Sequence, residues 1–160
     1  MCRTCASPTR GIFTQGSTPT YKKTIEFITI ATLGNATRFG ESSKAGAGAP
    51  MGASSTTRGV FAGGQLDNPY PQTDIIEFIT IATEGNAQDF GDLTSATSHG
   101  SGLSNSIRGC FAGGASPNKT NVIEFVTIAS TGNASDFGDL TVARDRLGQG
   151  AADAHGGIGD

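Results

Sequence analysis

The chain has 160 residues, a net charge of −3 and a sequence pI of about 5.3, and it contains 24 glycines, nine phenylalanines and no tryptophan. This length fits one domain with a buried core. The 11 Lys and Arg are spread along the chain, so we predict no nucleic-acid partner. No apolar run reaches the roughly 20 residues that span a bilayer, so we predict no membrane span.

The first ten residues, MCRTCASPTR, lack the apolar core of a secretory signal peptide. Three cysteines, an odd number, make a poor disulfide framework. We therefore predict no signal peptide and synthesis in a reducing cytoplasm.

The first element in chain order is RGIFTQG at 10–16, a segment that recurs along the chain. Its copies are RGVFAGG at 58–64 and RGCFAGG at 108–114. The next element, TIEFITIATLGNATRFG at 24–40, recurs as IIEFITIATEGNAQDFG at 75–91 and VIEFVTIASTGNASDFG at 122–138. A period of about 50 residues indicates one supersecondary unit used three times. We place the units at 10–57, 58–107 and 108–160 within a single domain, 1–160.

Each unit is predicted to contain about four β-strands. The R-G-x-F strand ends at a Gly pair, where the backbone turns or is closely approached by a neighbour. A variable loop follows, then the I-E-F-I-T strand, a G-N-A turn and a short strand around Phe-Gly. In the long strand, Ile123 and Phe125 point one way and Val126 and Ile128 the other. Both faces are apolar, so both should be covered, as in sheets packed face to face.

This unit resembles the kelch repeat of β-propellers. Gly63-Gly64 and Gly113-Gly114 match the Gly pair that closes a kelch strand, whereas the first repeat departs with Gln15-Gly16. Phe39, Phe90 and Phe137 stand near the kelch Trp position. The small-residue stretch before each R-G would then be the innermost strand, where crowding favours Gly, Ser and Ala. The resemblance implies an all-β fold, a kelch-like propeller segment of three four-stranded blades.

The wording IEFITIATxGNAxDFGDLT with RGxFAGG also resembles repeat proteins encoded by marine bacteriophages. That resemblance implies a non-enzymatic structural or binding protein of the virion, in a tail or fibre. The competing interpretations are a glycan-active or copper-oxidase type of enzyme on the same fold, and a cellular adhesion or scaffolding protein. With two Tyr and two His, the sequence is poorly supplied for such enzymes.

Three units are too few to close a ring, because propellers usually have four to eight blades. We expect self-association, two sets of three blades closing a six-bladed ring with each N-terminal strand completing a neighbour's blade, or capping by other virion proteins.

The variable loops 17–23, 65–73 and 115–121 are the predicted contact surface for a protein partner or a cell-surface glycan. The residues chosen as candidates are Tyr21, Lys22, Asp67, Asn68, Tyr70, Asn118 and Lys119.

The residues that recur in every unit are predicted to be structural. Arg10, Arg58 and Arg108 recur with Glu26, Glu77 and Glu124, and a ladder of Arg–Glu pairs between blades is one use for them. Phe39, Phe90 and Phe137 should pack between blades.

No cofactor, metal or catalytic residue is predicted. Asp136-Phe137-Gly138 spells the magnesium motif of protein kinases, but the other kinase motifs are missing and the triplet recurs at 89–91. Two metal alternatives stay open. Asn133, Asp136 and Asp139 offer oxygens to calcium, and the pair Cys2 and Cys5 is half of a zinc site. The other zinc candidates, Cys110, His99 and His155, do not form a recurring set.

Overall fold

A computed structural model describes residues 3–14, 16, 22–43, 48–67, 69–148 and 150–152. All regular elements in these ranges are β-strands, which confirms the all-β prediction. None of the described residues forms a helix with the length and hydropathy of a membrane span.

Twelve strands form three antiparallel sheets of four strands, and within each sheet the strands lie side by side in chain order. Sheet 1 contains β1 (Arg3–Ala6), β2 (Arg10–Thr14), β3 (Thr24–Thr29) and β4 (Thr37–Glu41). Sheet 2 contains β5 (Met51–Ser54), β6 (Arg58–Ala62), β7 (Ile75–Thr80) and β8 (Gln88–Asp92). Sheet 3 contains β9 (Ser101–Ser104), β10 (Arg108–Ala112), β13 (Val122–Thr127) and β14 (Ser135–Asp139). The short pair β11 (Ala115–Ser116) and β12 (Asn118–Lys119) lies in the loop between β10 and β13.

Each sheet begins with the small-residue strand that precedes the R-G segment, so the sheets start earlier than the predicted units. A polar side chain holds the hairpin between these two strands. The Arg10 and Arg58 amides donate to Ser7 Oγ and Ser55 Oγ, each at 3.1 Å, and the Arg108 amide donates to Asn105 Oδ1 at 2.7 Å. Because β1 pairs with β2 of its own sheet, sheet 1 has four strands without help from a neighbour.

The sheets stack face to face in chain order, and sheet 2 lies in the middle. One apolar cluster joins sheets 1 and 2 through Ile12, Phe27, Phe39, Phe61, Ile79 and Ile81, and another joins sheets 2 and 3 through Val60, Phe78, Phe90, Phe111, Val126 and Ile128. Both faces of β7 are therefore buried, as predicted for the long strand, whereas in β13 Ile123 and Phe125 on the outer face are only half-buried. The sheets of the described residues form an open stack and not a closed ring.

The first strands of the sheets, β1, β5 and β9, lie side by side. A Cβ atom at Gly102 would overlap the backbone of Gly52 in the preceding sheet. The small residues are needed because backbone packs directly on backbone here. Residues 150–152 continue this arrangement against β9, where the Ser104 amide donates to the Ala151 carbonyl at 3.0 Å.

Candidate functional site

Two of the three recurring glutamates, Glu77 and Glu124, are hydrogen-bonded by the sheet before them. Glu77 of sheet 2 is 1% exposed and accepts hydrogen bonds from Ser42 Oγ at 2.5 Å, the Ser43 amide at 2.9 Å and Ser43 Oγ at 2.8 Å. Glu124 of sheet 3 accepts from the amide and hydroxyl of Thr94 at 3.0 and 2.5 Å. These buried carboxylates are satisfied by hydroxyl and amide donors, so they bind one sheet to the next.

The recurring arginines reach forward to the sheet after them. Arg10 Nη1 donates to the carbonyls of Ile81 and Ala82 at 2.9 and 3.1 Å. Arg58 Nη1 makes the same pair of bonds to Ile128 and Ala129, at 3.0 and 2.9 Å. Each guanidinium also lies over a phenylalanine of its own sheet, 4.5 Å from the centroid of Phe27 for Arg10 and 4.6 Å from that of Phe78 for Arg58.

The predicted Arg–Glu ladder is wrong. Arginine bonds carbonyls and glutamate bonds hydroxyls, and the two belong to separate contacts. Within the described ranges, the ion pairs are Arg38–Glu41, Lys119–Asp145 and Arg146–Asp145. Sequence reasoning missed Ser43 and Thr94, although a hydroxyl residue stands three positions after the Phe-Gly glycine in all three repeats, with Thr141 in the third.

The Phe-Gly pair packs against the G-N-A turn of the following sheet. The amides of Gly85 and Ala87 donate to the carbonyls of Phe39 and Glu41 at 3.0 and 2.9 Å. The Glu41 amide donates to Asn86 Oδ1 at 3.1 Å in return. A Cβ at Gly40 would overlap Gly85 O, so this close approach requires glycine.

The same contacts join Phe90-Gly91 of sheet 2 to Gly132, Asn133 and Ala134 of sheet 3.

The three phenylalanines differ in burial. Each makes an edge-to-face contact with the long strand of its sheet, with centroids about 6 Å apart. Phe39 and Phe90 are buried between sheets as predicted, whereas Phe137 is 53% exposed. Phe137 departs from the prediction because, among the described residues, no sheet packs on the outer face of sheet 3.

The variable loops leave their sheets at the same place, between the second and third strands. Each loop is closed by a backbone hydrogen bond to the last glycine of the R-G-x-F-x-x-G segment. The bonds are Lys22 N to Gly16 O at 2.8 Å, Thr73 N to Gly64 O at 2.9 Å and Thr120 N to Gly114 O at 2.9 Å. Since the sheets stack, the loops emerge along one edge of the stack. We call the described residues of these loops, 22–23, 65–67, 69–73 and 115–121, the loop edge.

The loop between β6 and β7 is folded on itself. The Leu66 amide donates to the Pro71 carbonyl at 2.8 Å, and Gln65 Nε2 donates to the Tyr70 carbonyl at 3.2 Å. The Tyr70 amide donates to the Asp67 carbonyl at 3.3 Å. Tyr70 takes a positive φ of 68° and is 53% exposed, which presents its ring to solvent.

The loop between β10 and β13 is the hairpin of β11 and β12. Asn118 and Lys119 are exposed on β12, and Lys119 Nζ lies 3.3 Å from Asp145 Oδ1. Lys22 is also exposed, while the candidates Tyr21 and Asn68 lie outside the described residues. The structure thus brings the described candidates of the second and third loops to one edge.

Cys5 lies between sheets 1 and 2, whereas Cys110 lies on the outer face of sheet 3 beside Arg108 and Phe137. Cys5 is buried against Gly59 of sheet 2, and burial raises the pKa of its thiol far above the ordinary value. Burial also raises the pKa of Cys110, an effect that nearby Arg108 partly offsets. Cys2 and His155 lie outside the described ranges, and His99 Nδ1 lies 2.9 Å from the hydroxyl of its neighbour Ser98.

The described residues contain no group of three His, Cys, Asp or Glu side chains placed to hold a metal ion. Of the calcium candidates, Asn133 uses its Oδ1 to accept the Asp92 amide, while Asp136 and Asp139 are exposed.

No protein-family model matches the chain, and a comparison with curated proteins found no match either. The contacts described above therefore carry the functional argument alone.

Proposed function

We propose that the chain is a non-enzymatic binding scaffold, a kelch-like β-propeller segment whose loop edge contacts a partner protein or a surface glycan. The charged residues common to the three repeats support this proposal. Glu77, Glu124, Arg10 and Arg58 are all engaged in holding sheets together, so the repeated chemistry builds a rigid support.

The observation that carries the proposal is the equivalent closure of the three loops. Their closing hydrogen bonds agree within 0.1 Å, 2.8, 2.9 and 2.9 Å, while their sequences have little in common. A constant base with variable loops is the arrangement in which a scaffold presents recognition residues. Exposed Tyr70 offers an aromatic surface with a polar end, a type of side chain enriched in contact surfaces.

We place this scaffold in a phage particle, as a tail or fibre component, because the sequence of its repeats resembles that of phage-encoded proteins. Its partners there would be other virion proteins or glycans of the host surface. Peptide mass spectrometry of purified virus particles from a host that produces the chain tests this placement. Detection of the chain only in the unpurified lysate contradicts it.

A binding assay tests the loop edge. We expect the purified chain to bind immobilised bacterial surface polysaccharide or a cell-surface protein fraction, and the double variant Tyr70→Ala, Lys119→Ala to lose at least ~10-fold in affinity. The matched control is Glu84→Ala, an exposed position at the opposite edge. Equal affinity of both variants and the parent chain would exclude the loop edge as the binding surface.

A further inference from the structure

The two end faces of the stack expose residues that are buried at the internal interfaces. On sheet 1, Ile30 is 54% exposed, whereas the equivalent Ile81 and Ile128 are each 1% exposed. On sheet 3, Phe137 and Leu103 are 53% and 50% exposed. Apolar side chains exposed on both outer sheets indicate surfaces that a partner covers.

Each end face carries one half of the carboxylate contact. Inside the stack, the residues after the fourth strand bind the glutamate of the next sheet, as Thr94 binds Glu124. Sheet 3 ends with Thr141, the equivalent of Thr94, and Thr141 is exposed. Sheet 1 carries Glu26, the equivalent of Glu124, and Glu26 is exposed on the opposite end.

The arginine contact is also split between the two ends, with the donor on sheet 3 and the acceptors on sheet 1. Arg108 stacks on Phe125 and Phe137 at 4.6 and 5.8 Å and is exposed, so its guanidinium is oriented as Arg10 and Arg58 are. The matching acceptors on sheet 1 are the carbonyls of Ile30 and Ala31, two residues that are exposed.

The turn contact also has its two halves on opposite ends. Gly138 has open space among the described residues, where Gly40 and Gly91 meet the turn of the next sheet. On sheet 1, no described residue of another sheet accepts a hydrogen bond from the turn amides of Gly34 and Ala36, whereas the equivalent amides of sheets 2 and 3 donate to the sheet before them. Among the described residues, the glutamate, arginine and turn contacts are each left half-made at both ends of the stack. Sheet 3 carries the half of each contact that sheet 1 needs, and sheet 1 carries the other half.

We propose that the face of sheet 3 binds sheet 1 of a second copy of this chain, head to tail. In this contact Thr141 donates to the partner's glutamate at position 26, and Arg108 donates to the carbonyls at positions 30 and 31. Two copies bring together six sheets, the one multiple of three between the four and eight that propellers use, so the second contact closes the ring. This association does not depend on what the loop edge binds.

The innermost strand of the junction comes from the C-terminal segment. Gly150 packs so closely on Gly102 that a Cβ would overlap the Gly102 carbonyl, and Ser104 forms a parallel bridge with Ala152. Thr4 occupies the equivalent position in β1, so in a second copy stacked as sheet 3 is on sheet 2 its Cβ would meet the Gly102 peptide, as a Cβ at Gly102 would meet Gly52. In the proposed contact, residues 150–152 therefore take the place of the second copy's β1 next to its β2. That copy's β1 must leave the pairing with β2 that it makes in the single chain.

Sedimentation velocity on the full chain tests the proposal. We expect a species of about 32 kDa at high micromolar concentration, twice the 16.2 kDa of one chain. Glu26→Lys should raise the dissociation constant at least ~10-fold, because it puts an ammonium against hydroxyl and amide donors. Adding Thr141→Glu should restore association by pairing Lys with Glu. Gly150→Val should weaken association, whereas Thr4→Gly should leave it unchanged.

The matched control is Glu84→Lys, the same charge change on exposed residue 84 of the middle sheet, which should associate as the parent chain does. Circular dichroism should give one melting temperature for Glu26→Lys and the parent at concentrations where both are monomers. A 16 kDa species for the parent at every concentration, or polymers without a 32 kDa species, would overturn the proposal. So would equal association of Glu26→Lys and Glu84→Lys.

Discussion

At the scale of single residues, the same amino acid serves differently according to the sheet that carries it. Glu77 is buried and accepts three hydrogen bonds, while Glu26, at the same repeat position, is exposed. The chain thus contains its own control for each inter-sheet contact. This allows the contribution of a neighbouring sheet to be separated from that of the residue itself.

Replacing Glu77 with alanine should destabilise the protein by about 3 kcal/mol, because buried Ser42 and its exposed neighbour Ser43 lose their acceptor. Glu26→Ala, measured where the chain is monomeric, should change the free energy of unfolding by less than about 0.5 kcal/mol. Urea unfolding followed by circular dichroism measures both. Similar effects of the two substitutions would mean that Glu77 does not join the sheets.

Alanine at Gly91 and at Gly138 should have unequal effects. Both glycines have positive φ, 146° and 140°, so alanine is strained at both. Only at Gly91 would the added Cβ also overlap the backbone of Gly132 in the next sheet. Thermal unfolding should show Gly91→Ala to be less stable than Gly138→Ala by a further 1–3 kcal/mol or so. Equal losses would place the cost in backbone strain alone.

The buried thiol of Cys5 should make stability fall in alkaline solution. In the unfolded chain this thiol ionises near pH 9, whereas in the folded protein its pKa is higher, so only the unfolded state loses the proton. The stabilisation is complete below about pH 8 and is lost above pH 9, by up to about 1.4 kcal/mol per pH unit. The urea midpoints at pH 8 and pH 10 should differ less in Cys5→Ala than in the parent chain. An equal difference in both proteins would contradict the burial of the Cys5 thiol.

At the scale of elements, the sequence predicts strands better than it predicts contacts between them. The apolar residues of the repeated long strand predict a strand covered on both faces, which holds for β7 of the middle sheet but not for β13, whose outer face is half-buried. The small-residue stretches predict an inner strand, which β5 and β9 confirm. The predicted units begin at the R-G segment, whereas each sheet begins one strand earlier. The short turns at Ser7 and Ser55 that join these two strands give a weak sequence signal.

The candidate site was predicted in part. The loop positions follow from where sequence varies between repeats, but the roles of arginine and glutamate do not. Opposite charges at matching repeat positions favour a pairing hypothesis, whereas the actual partners, backbone carbonyls and hydroxyls, carry no charge pattern. Only the register between sheets identifies them.

Arg58 should stabilise the packing of sheet 2 on sheet 3. Arg58→Ala removes two hydrogen bonds to carbonyls and the stacking on Phe78, and we expect a loss of about 2 kcal/mol in the free energy of unfolding. Arg58→Lys should recover less than half, because an ammonium lacks the planar stacking surface. Arg108→Ala, at the open end, should cost less than half as much as Arg58→Ala. Chemical unfolding of the three variants decides, and an equal cost for both arginines would contradict the inter-sheet role.

At the scale of the whole molecule, repeated and directional contacts set the order of the sheets in the stack. Each sheet binds the next with the same arginine, hydroxyl and turn, so the stack has two different ends. The middle sheet is covered on both faces and the outer sheets on one.

Amide hydrogen exchange at low protein concentration tests this order most directly, because the three G-N-A turns are alike in sequence but not in position. The turn amides bonded across sheets, at Gly85, Ala87, Gly132 and Ala134, should exchange slowly, and those of Gly34 and Ala36 should exchange rapidly. Equal protection of all three turns in the monomer would contradict the stacking of the sheets.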